Sequence, residues 1–373
     1  MKSILVFDNN FFGAYGSLKC FIQEIVCALK KLNQNVLLVS TVSEAVNLYN
    51  NGNIDFSIGI GKYLFFLEGQ PLYELYKKRH YQWVIDNPLK VQIDTQSHYI
   101  KYILIDRMFQ YCMGKTKNSF LYLPLGIPEF KIENTLDKDY GIVFSGQIRD
   151  SNKIFDDILM STKRREITEL LDRFTSNLDL SYIPELMRNI ENFSLDERVM
   201  IFSLTNSFLR AYKREKVLSS IKNIPVSIIG ENRSRVISNN KNIKILGKAS
   251  YYDTVKIMAR YMFNINIEPN FNCGFHDRIL RSVTSGSIII TNYGQIQQQI
   301  LKNDVIFYDY ANLDMIESKV RNMHKNEMFE MRNRLAKKIS SCFVWEKILE
   351  IVICDFRRIK QNANNRLFRI LGN

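Results

Sequence analysis

The chain has 373 residues, 46% of them apolar and 24% charged, enough apolar material for two or three domains and too much for a disordered chain. Its 16 glycines and 7 prolines exclude collagen-like and linker-dominated architectures. Lysine and arginine outnumber aspartate and glutamate by 51 to 38, a net charge of +13, which favours an anionic partner such as a nucleotide phosphate, nucleic acid or an acidic membrane surface without choosing among them.

The cysteines, at 20, 27, 112, 273, 342 and 354, are too scattered for a disulfide framework. No Cys/His cluster has zinc spacing, so no metal site is expected. The apolar run Ile4–Phe7 is broken by Asp8-Asn9-Asn10, far short of a signal-peptide core. No stretch approaches the ~18 apolar residues of a membrane span. The expectation is a soluble protein of a reducing compartment, the cytoplasm.

In the first half, short β-branched or aromatic runs recur at Ile4–Phe7, Val36–Val39, Phe56–Ile60, Gln82–Ile85, Tyr102–Ile105 and Phe120–Leu123. Such continuous runs mark strands buried on both faces of a parallel sheet. Helical segments intervene, the clearest being Ser17–Leu32 with Leu18, Phe21, Ile22, Ile25, Val26 and Leu29 on one face. Pro124-Leu-Gly-Ile-Pro128 and the polar run to Asp139 form a linker. A new strand, Gly141–Ser145, opens the second half. Residues 151–223 turn helical, with a capping box at Ser194-Leu-Asp-Glu197. The strand–helix rhythm resumes at Val226–Ile229, Ile243–Leu246, Asn264–Ile267, Ser287–Thr291 and Val305–Tyr308, with Ser250 capping the helix that runs through Arg260. This predicts an α/β chain of two doubly wound, Rossmann-like domains facing a cleft: residues 1–130 on the acceptor side, and 131–343 binding the donor with a helical insertion at 151–223. A C-terminal helix follows at 344–373. That helix is amphipathic, and Arg357, Arg358, Lys360, Arg366 and Arg369 make its end basic. It either ends as a solvated helix or lies peripherally on an anionic (inner) membrane surface.

In open parallel sheets, ligands bind beyond the carboxyl ends of the strands, so the informative residues follow strands. The richest segment runs from Asn264 to Asn292: a strand, a polar loop with Glu268, a helix entered near Phe275-His276-Asp277-Arg278, a stop at Gly286 and another strand. Free amides and the dipole at that helix start favour a diphosphate. His276 adds a donor and Arg278 a cation that grips phosphate in bidentate fashion; Asp277 either joins them or caps the helix. Glu268 either accepts ribose hydroxyls or caps its loop. Gly146 and Gly230, each directly after a strand, permit close approach of backbone to ligand, and Arg233 is within reach of a diphosphate. On the other side Asp8, Asp86 and Asp106 each follow a strand. Asp86, before Asn87-Pro88, ranks first as a general base, with His98 in reserve. Asp86 and His276 are the catalytic candidates. Asp137-Lys138-Asp139 precedes its strand and is read as solvated charge. Dinucleotide, Walker A and nucleophile-elbow patterns are absent.

Phe275-His276-Asp277-Arg278-Ile-Leu, followed by Ser285-Gly286 and a strand ending Thr291-Asn292, resembles the CgeB/YkvP-type glycosyltransferases. Trp83-Val-Ile-Asp86-Asn87-Pro88, Ile105-Asp106-Arg107, Tyr122-Leu-Pro124-Leu and Val143-Phe-Ser145-Gly146 are also similar, in order, across most of residues 80–295. Gly13-Ala-Tyr-Gly16 before a helix is similar to the acceptor-side glycine loop of GT-B glycosyltransferases. The resemblance implies a GT-B fold, a nucleotide-diphosphate-sugar donor bound by the second domain, no metal or other cofactor, and a glycan, lipid-linked or protein acceptor. One departure stands out. Large retaining GT-B families carry two glutamates separated by seven residues, and here those positions are Cys273 and Arg281, which leaves the stereochemistry at the sugar open between retention and inversion. The alternatives are a non-catalytic GT-B-like protein that binds nucleic acid or an anionic membrane, and a nucleotide-sugar epimerase. Nucleic acid is not expected, because the basic residues are dispersed and no nucleic-acid motif is present.

Overall fold

The computed structural model describes residues 2–8, 16–61, 64–85, 88–90, 97–113, 120–131, 138–179, 181–268 and 273–371, with side chains described to residue 359 except that of Lys90. Strand β1 (Ser3–Phe7), helix α1 (Ser17–Lys31), β2 (Asn35–Val39), α2 (Val42–Asn50), β3 (Ile54–Ile60), β4 (Arg79–Val84), β5 (Ile100–Leu104) and β6 (Leu121–Tyr122) build the first lobe. The strands form one parallel six-stranded sheet in the order β2-β1-β3-β4-β5-β6. Its central strands are buried on both faces. At the edge, β2 leaves Leu38 exposed, so this run is only half buried, unlike the expectation for a central strand.

The second lobe opens with β7 (Asp139–Ser145). Four helices follow before the next strand: α3 (Ser151–Leu159), α4 (Arg164–Ser176), α5 (Tyr182–Asn189) and α6 (Leu195–Ser220), the last begun by the Ser194/Glu197 capping box. Then come β8 (Val226–Ile229), β9 (Ile243–Gly247), α7 (Tyr251–Met258), β10 (Tyr261–Asn266), α8 (Asp277–Thr284), β11 (Ile288–Asn292), α9 (Gln295–Leu301) and β12 (Ile306–Tyr308). The sheet is parallel, in the order β9-β8-β7-β10-β11-β12. That order reverses between β7 and β10, and crevices at the carboxyl ends of such a reversal are where open α/β sheets bind ligands.

Helices α10 (Met315–Asn322) and α11 (Lys325–Cys342) complete the second lobe, and α12 (Trp345–Leu371) returns to the first. Trp345 meets Trp83 edge-on at 5.9 Å, Phe356 tilts against Phe56, and Asp355 accepts from Tyr81 Oη at 2.7 Å and Lys101 Nζ at 2.6 Å. The linker is docked rather than loose. Leu125 and Ile127 are buried, and Ile127 exchanges backbone bonds with Phe343 and Trp345. At Gly126 a side chain would lie 2.5 Å from the Trp345 ring. Among the described residues no helix is long and apolar enough to cross a membrane.

Candidate functional site

The reversal in the second sheet is bridged by one side chain. Arg278, in the first turn of α8 and only 8% exposed, donates from Nε to the Ser145 carbonyl at the end of β7 (2.6 Å) and from Nη1 to Asn266 Oδ1 at the end of β10 (2.9 Å). Its remaining nitrogen, Nη2, has no hydrogen-bond partner among the described residues. Nη2 lies 3.3 Å from where a side chain on Gly146 would begin. Gly146, at φ 153°, takes a backbone conformation that favours glycine, and a side chain there would also crowd the Phe144 ring at 3.1 Å.

His276 caps α8. Its Nδ1 accepts the Arg278 amide at 3.0 Å and lies 2.7 Å from Asp277 Oδ1. Burial, reinforced by Arg278 and Arg210 and opposed by Asp277, lowers the imidazole below its ordinary value, so the ring is neutral at pH 7. Nδ1 thus faces both a donor, the Arg278 amide, and an acceptor, the Asp277 carboxylate, and one ring nitrogen cannot serve both at once. For Asp277, burial acts upward, but His276, Arg278 and Arg281 outweigh it and hold the carboxylate below its usual range.

Several expected site residues have other work. Glu268 is 1% exposed; its oxygens accept the His276 amide (3.1 Å) and Gln297 Nε2 (2.9 Å), so it braces the loop into α8 rather than facing a ribose. Burial, against the bond from Asn266 and the charge of Arg278, pushes it up to about 8. Phe275 is buried against Phe343 with rings 5.2 Å apart; its bulk anchors the loop in the core. Gly230 is required by a backbone-to-backbone approach, because a side chain there would lie 2.5 Å from the Gly146 carbonyl oxygen. Arg233 has a 67% exposed side chain, held by Glu231 at 3.3 Å on the surface. His98 is exposed and precedes β5, at the amino edge of the first sheet and thus away from the cleft. His80 is a core residue bonded to Ser57 and Gln82, and burial lowers it to about 4.

Across the cleft, Asp8 follows β1 at the carboxyl edge, with its amide bonded to Val39. Gly16 takes φ 79° as the N-cap of α1, a left-handed turn that favours glycine. Asp86, Gly13 and Asp137 lie outside the described residues. Lys138 is not simply solvated: it donates to the Ser285 carbonyl at 2.7 Å and Ser287 Oγ at 3.3 Å. Asp106 reaches the other lobe instead of a ligand. Its Oδ1 accepts the Met108 amide (2.6 Å) and its Oδ2 the Cys273 amide (3.1 Å), while burial pushes it up to about 7. Gly274 pairs with Asp106 and admits no side chain, since a Cβ would sit 2.0 Å from the Ile105 oxygen.

The lobes are joined a second time by Arg281, whose Nη1 and Nη2 donate to Glu24 Oε1 and Oε2 of α1 at 3.0 and 2.8 Å, with Trp345 Nε1 adding a bond to Oε2 at 2.8 Å. Thus both positions where retaining families keep glutamates are occupied by lobe contacts, Cys273 through its backbone and Arg281 through its guanidinium. A mainly apolar cavity of about 450 Å³ lies beside the lobe crossover, lined by Cys27, Leu38, Pro128, Tyr252 and Trp345; it is separate in lining from the carboxyl-edge residues above. Among the described residues no cluster of His, Cys, Asp and Glu has the makings of a metal site.

What sequence reasoning missed lies on α6. Arg214 is 7% exposed, with its Nη1 bonded to the Gln147 carbonyl, and Arg210 is half-buried one turn earlier. The charge of Arg210 acts on Arg214, Arg278 and His276 alike. The available signal was two arginines four residues apart with no acid three or four positions from either, a pattern that leaves both without the usual helix-surface partners.

Solved structures share this architecture. Sucrose-phosphate synthase from Thermosynechococcus elongatus matches 97% of this chain and 100% of its own at 10% identity and a TM-score of 0.53. A glycosyltransferase from Rickettsia africae ESF-5 matches 97% and 99% respectively, at 11% identity and a TM-score of 0.50. No family model matches the sequence, and no curated protein matches it. At such identities the likeness is one of fold, and it agrees with the sheet orders: the chain has the GT-B fold of two Rossmann-like lobes, with a helical insertion in the second and a C-terminal helix returning to the first.

Proposed function

We propose that the protein is a glycosyltransferase of the CgeB/YkvP type, moving a sugar from a nucleotide-diphosphate sugar to a hydroxyl of a glycan, glycolipid or protein. The observation that carries this reading is Arg278: a buried cation bridging the sheet reversal, with one guanidinium nitrogen unspent beside a glycine. The two fold neighbours, a synthase of a sugar phosphate and a glycosyltransferase by name, support the reaction class.

Transfer breaks the bond between the anomeric carbon and the diphosphate oxygen, so negative charge grows on the leaving group. Fixed donors aimed at that charge are worth most in a water-poor site. Arg278 Nη2 is that donor in this reading, with the α8 dipole adding to it. In an inverting transfer, Asp86 takes the acceptor proton. Holding donor and acceptor between two lobes supplies orientation and excludes water.

The test is turnover: the full chain is incubated with a panel of nucleotide sugars and candidate acceptors, and free nucleoside diphosphate is measured. The expected result is acceptor-dependent release from at least one donor, lowered at least ~100-fold by Arg278→Gln. Ligand binding without release from any donor and acceptor pair would make the protein a non-catalytic binder of the same fold. Release that Arg278→Gln leaves unchanged would remove Arg278 from the site.

A further inference from the structure

The cation at the sheet reversal has company from an unexpected element. The Phe144 ring, the last-but-one residue of β7, carries two guanidinium groups: Arg278 at 5.1 Å from its centroid and Arg214 at 5.4 Å. Arg214 comes from α6 of the insertion and is fastened to the Gln147 carbonyl. Its Nε is buried with no hydrogen-bond partner, and no carboxylate lies within ion-pair distance of it among the described residues. The adjacent Glu215 is no counter-ion, because its carboxylate is bound by the amide and hydroxyl of Ser151. Arg210, one turn earlier, likewise has no ion pair among the described residues. Asp277 and Glu268 act on Arg278 only from beyond ion-pair distance.

Burying an unpaired charge costs several kcal/mol. Two buried arginines that share one aromatic face without a contacting carboxylate, with the charge of Arg210 one turn away acting on both, are unsatisfied in the protein alone and satisfied around an anion. The glycine beside this cluster is Gly146, where a Cβ would crowd both the Phe144 ring (3.1 Å) and Arg278 Nη2 (3.3 Å). One arginine suffices for a single phosphate, whereas three guanidinium groups match the charge and the several oxygens of a diphosphate.

We propose that Arg210 and Arg214 make the insertion helix α6 the second half of a diphosphate site whose first half is Arg278. The inference rests on the donor reading above and deepens it: the insertion is part of the donor site, and a diphosphate is bound in preference to a monophosphate.

The experiment is isothermal titration of the full-length protein with inorganic pyrophosphate and with orthophosphate, at low and at moderate salt. Wild type, Arg210→Gln, Arg214→Met and Arg278→Gln are compared, with Arg165→Gln, an exposed arginine elsewhere on the insertion, as the charge-matched control. The expected result is pyrophosphate binding at least ~10-fold tighter than orthophosphate. Arg210→Gln weakens it ~10-fold or more and lowers its salt dependence, while the control binds as wild type does. Arg210 is half-buried, so its variant is expected to fold even if Arg214→Met does not. Absence of pyrophosphate binding in wild type, or binding by Arg210→Gln within twofold of wild type, overturns the inference. Loss of pyrophosphate binding in Arg210→Gln, in a protein that turns over no nucleotide sugar, keeps the anion site and ends the transferase reading. Turnover that survives Arg210→Gln unchanged does the opposite.

Discussion

Arg278 and Arg281 stand three residues apart on α8 and are almost equally buried, at 8% and 5% exposure. Their surroundings differ entirely. Arg281 is spent: a carboxylate from the other lobe takes its fork, Tyr251 lies 4.6 Å beneath it, and although burial works against its charge, Tyr251 and Glu24 raise its proton affinity. Arg278 faces only neutral oxygens at contact distance, an aromatic face and other arginines, and burial lowers its proton affinity. One helix thus presents a cation that holds the protein together and, one turn earlier, a cation that the protein alone does not satisfy. A buried charge says little until its partner is named. When the partner is protein the residue is structural, and when it is missing the residue becomes a candidate for a ligand.

Breaking the paired side should do the most damage. Arg281→Ala leaves Glu24 buried and unpaired, and is expected to lose about 3–5 kcal/mol of stability in urea denaturation. The double variant Arg281→Met with Glu24→Leu should recover much of that loss. If Arg281→Ala unfolds at the wild-type urea concentration, the two arginines do not differ in the way described. Next in size is Gly274→Ala. Its methyl meets the Ile105 carbonyl oxygen, so the Asp106–Gly274 contact must open; a stability loss of about 1–3 kcal/mol is expected, together with a larger radius by small-angle scattering.

The smallest effect concerns the carboxyls behind the site. Glu268 and Asp106 are raised to about 8 and about 7, so the folded chain keeps protons that the unfolded chain has released from about pH 4 upward. Stability is therefore highest at the acid end of that window and falls as pH rises towards 7 and 8, by at most ~1.4 kcal/mol per pH unit for each group. Glu268→Gln imitates the protonated form and should flatten its share of that slope. A slope unchanged by Glu268→Gln would show that Glu268 does not hold its proton in the fold.

Most of the fold was legible because it is local. Runs such as Ile288–Ile290 are buried on both faces and the Ser194/Glu197 box starts α6 where its spacing says. The helix start at 276–278 was legible for the same reason, since a cap and a cation lie within three residues of each other. What escaped was long-range. Arg281 and Glu24 are 257 positions apart, and nothing near either residue announces the other. Phe275 looked like the mouth of a site and is instead a core anchor, because its partner Phe343 belongs to the end of a distant helix. Arg233 looked free after its strand, but Glu231, two residues away, turns it along the surface. Arg214 is likewise defined by a distant partner, since its guanidinium lies over Phe144, 70 positions earlier.

The most direct test is thermal unfolding of wild type and Arg278→Gln, each alone and with saturating uridine, adenosine, guanosine or thymidine diphosphate. A ligand bound only by the folded state raises the melting temperature by mass action. The account predicts that at least one nucleotide raises it in wild type, that Arg278→Gln alone melts at about the wild-type temperature, and that the nucleotide no longer shifts it. An Arg278→Gln protein that melts far below wild type, with no nucleotide stabilising either form, would contradict it and place Arg278 beside Arg281 as a structural residue.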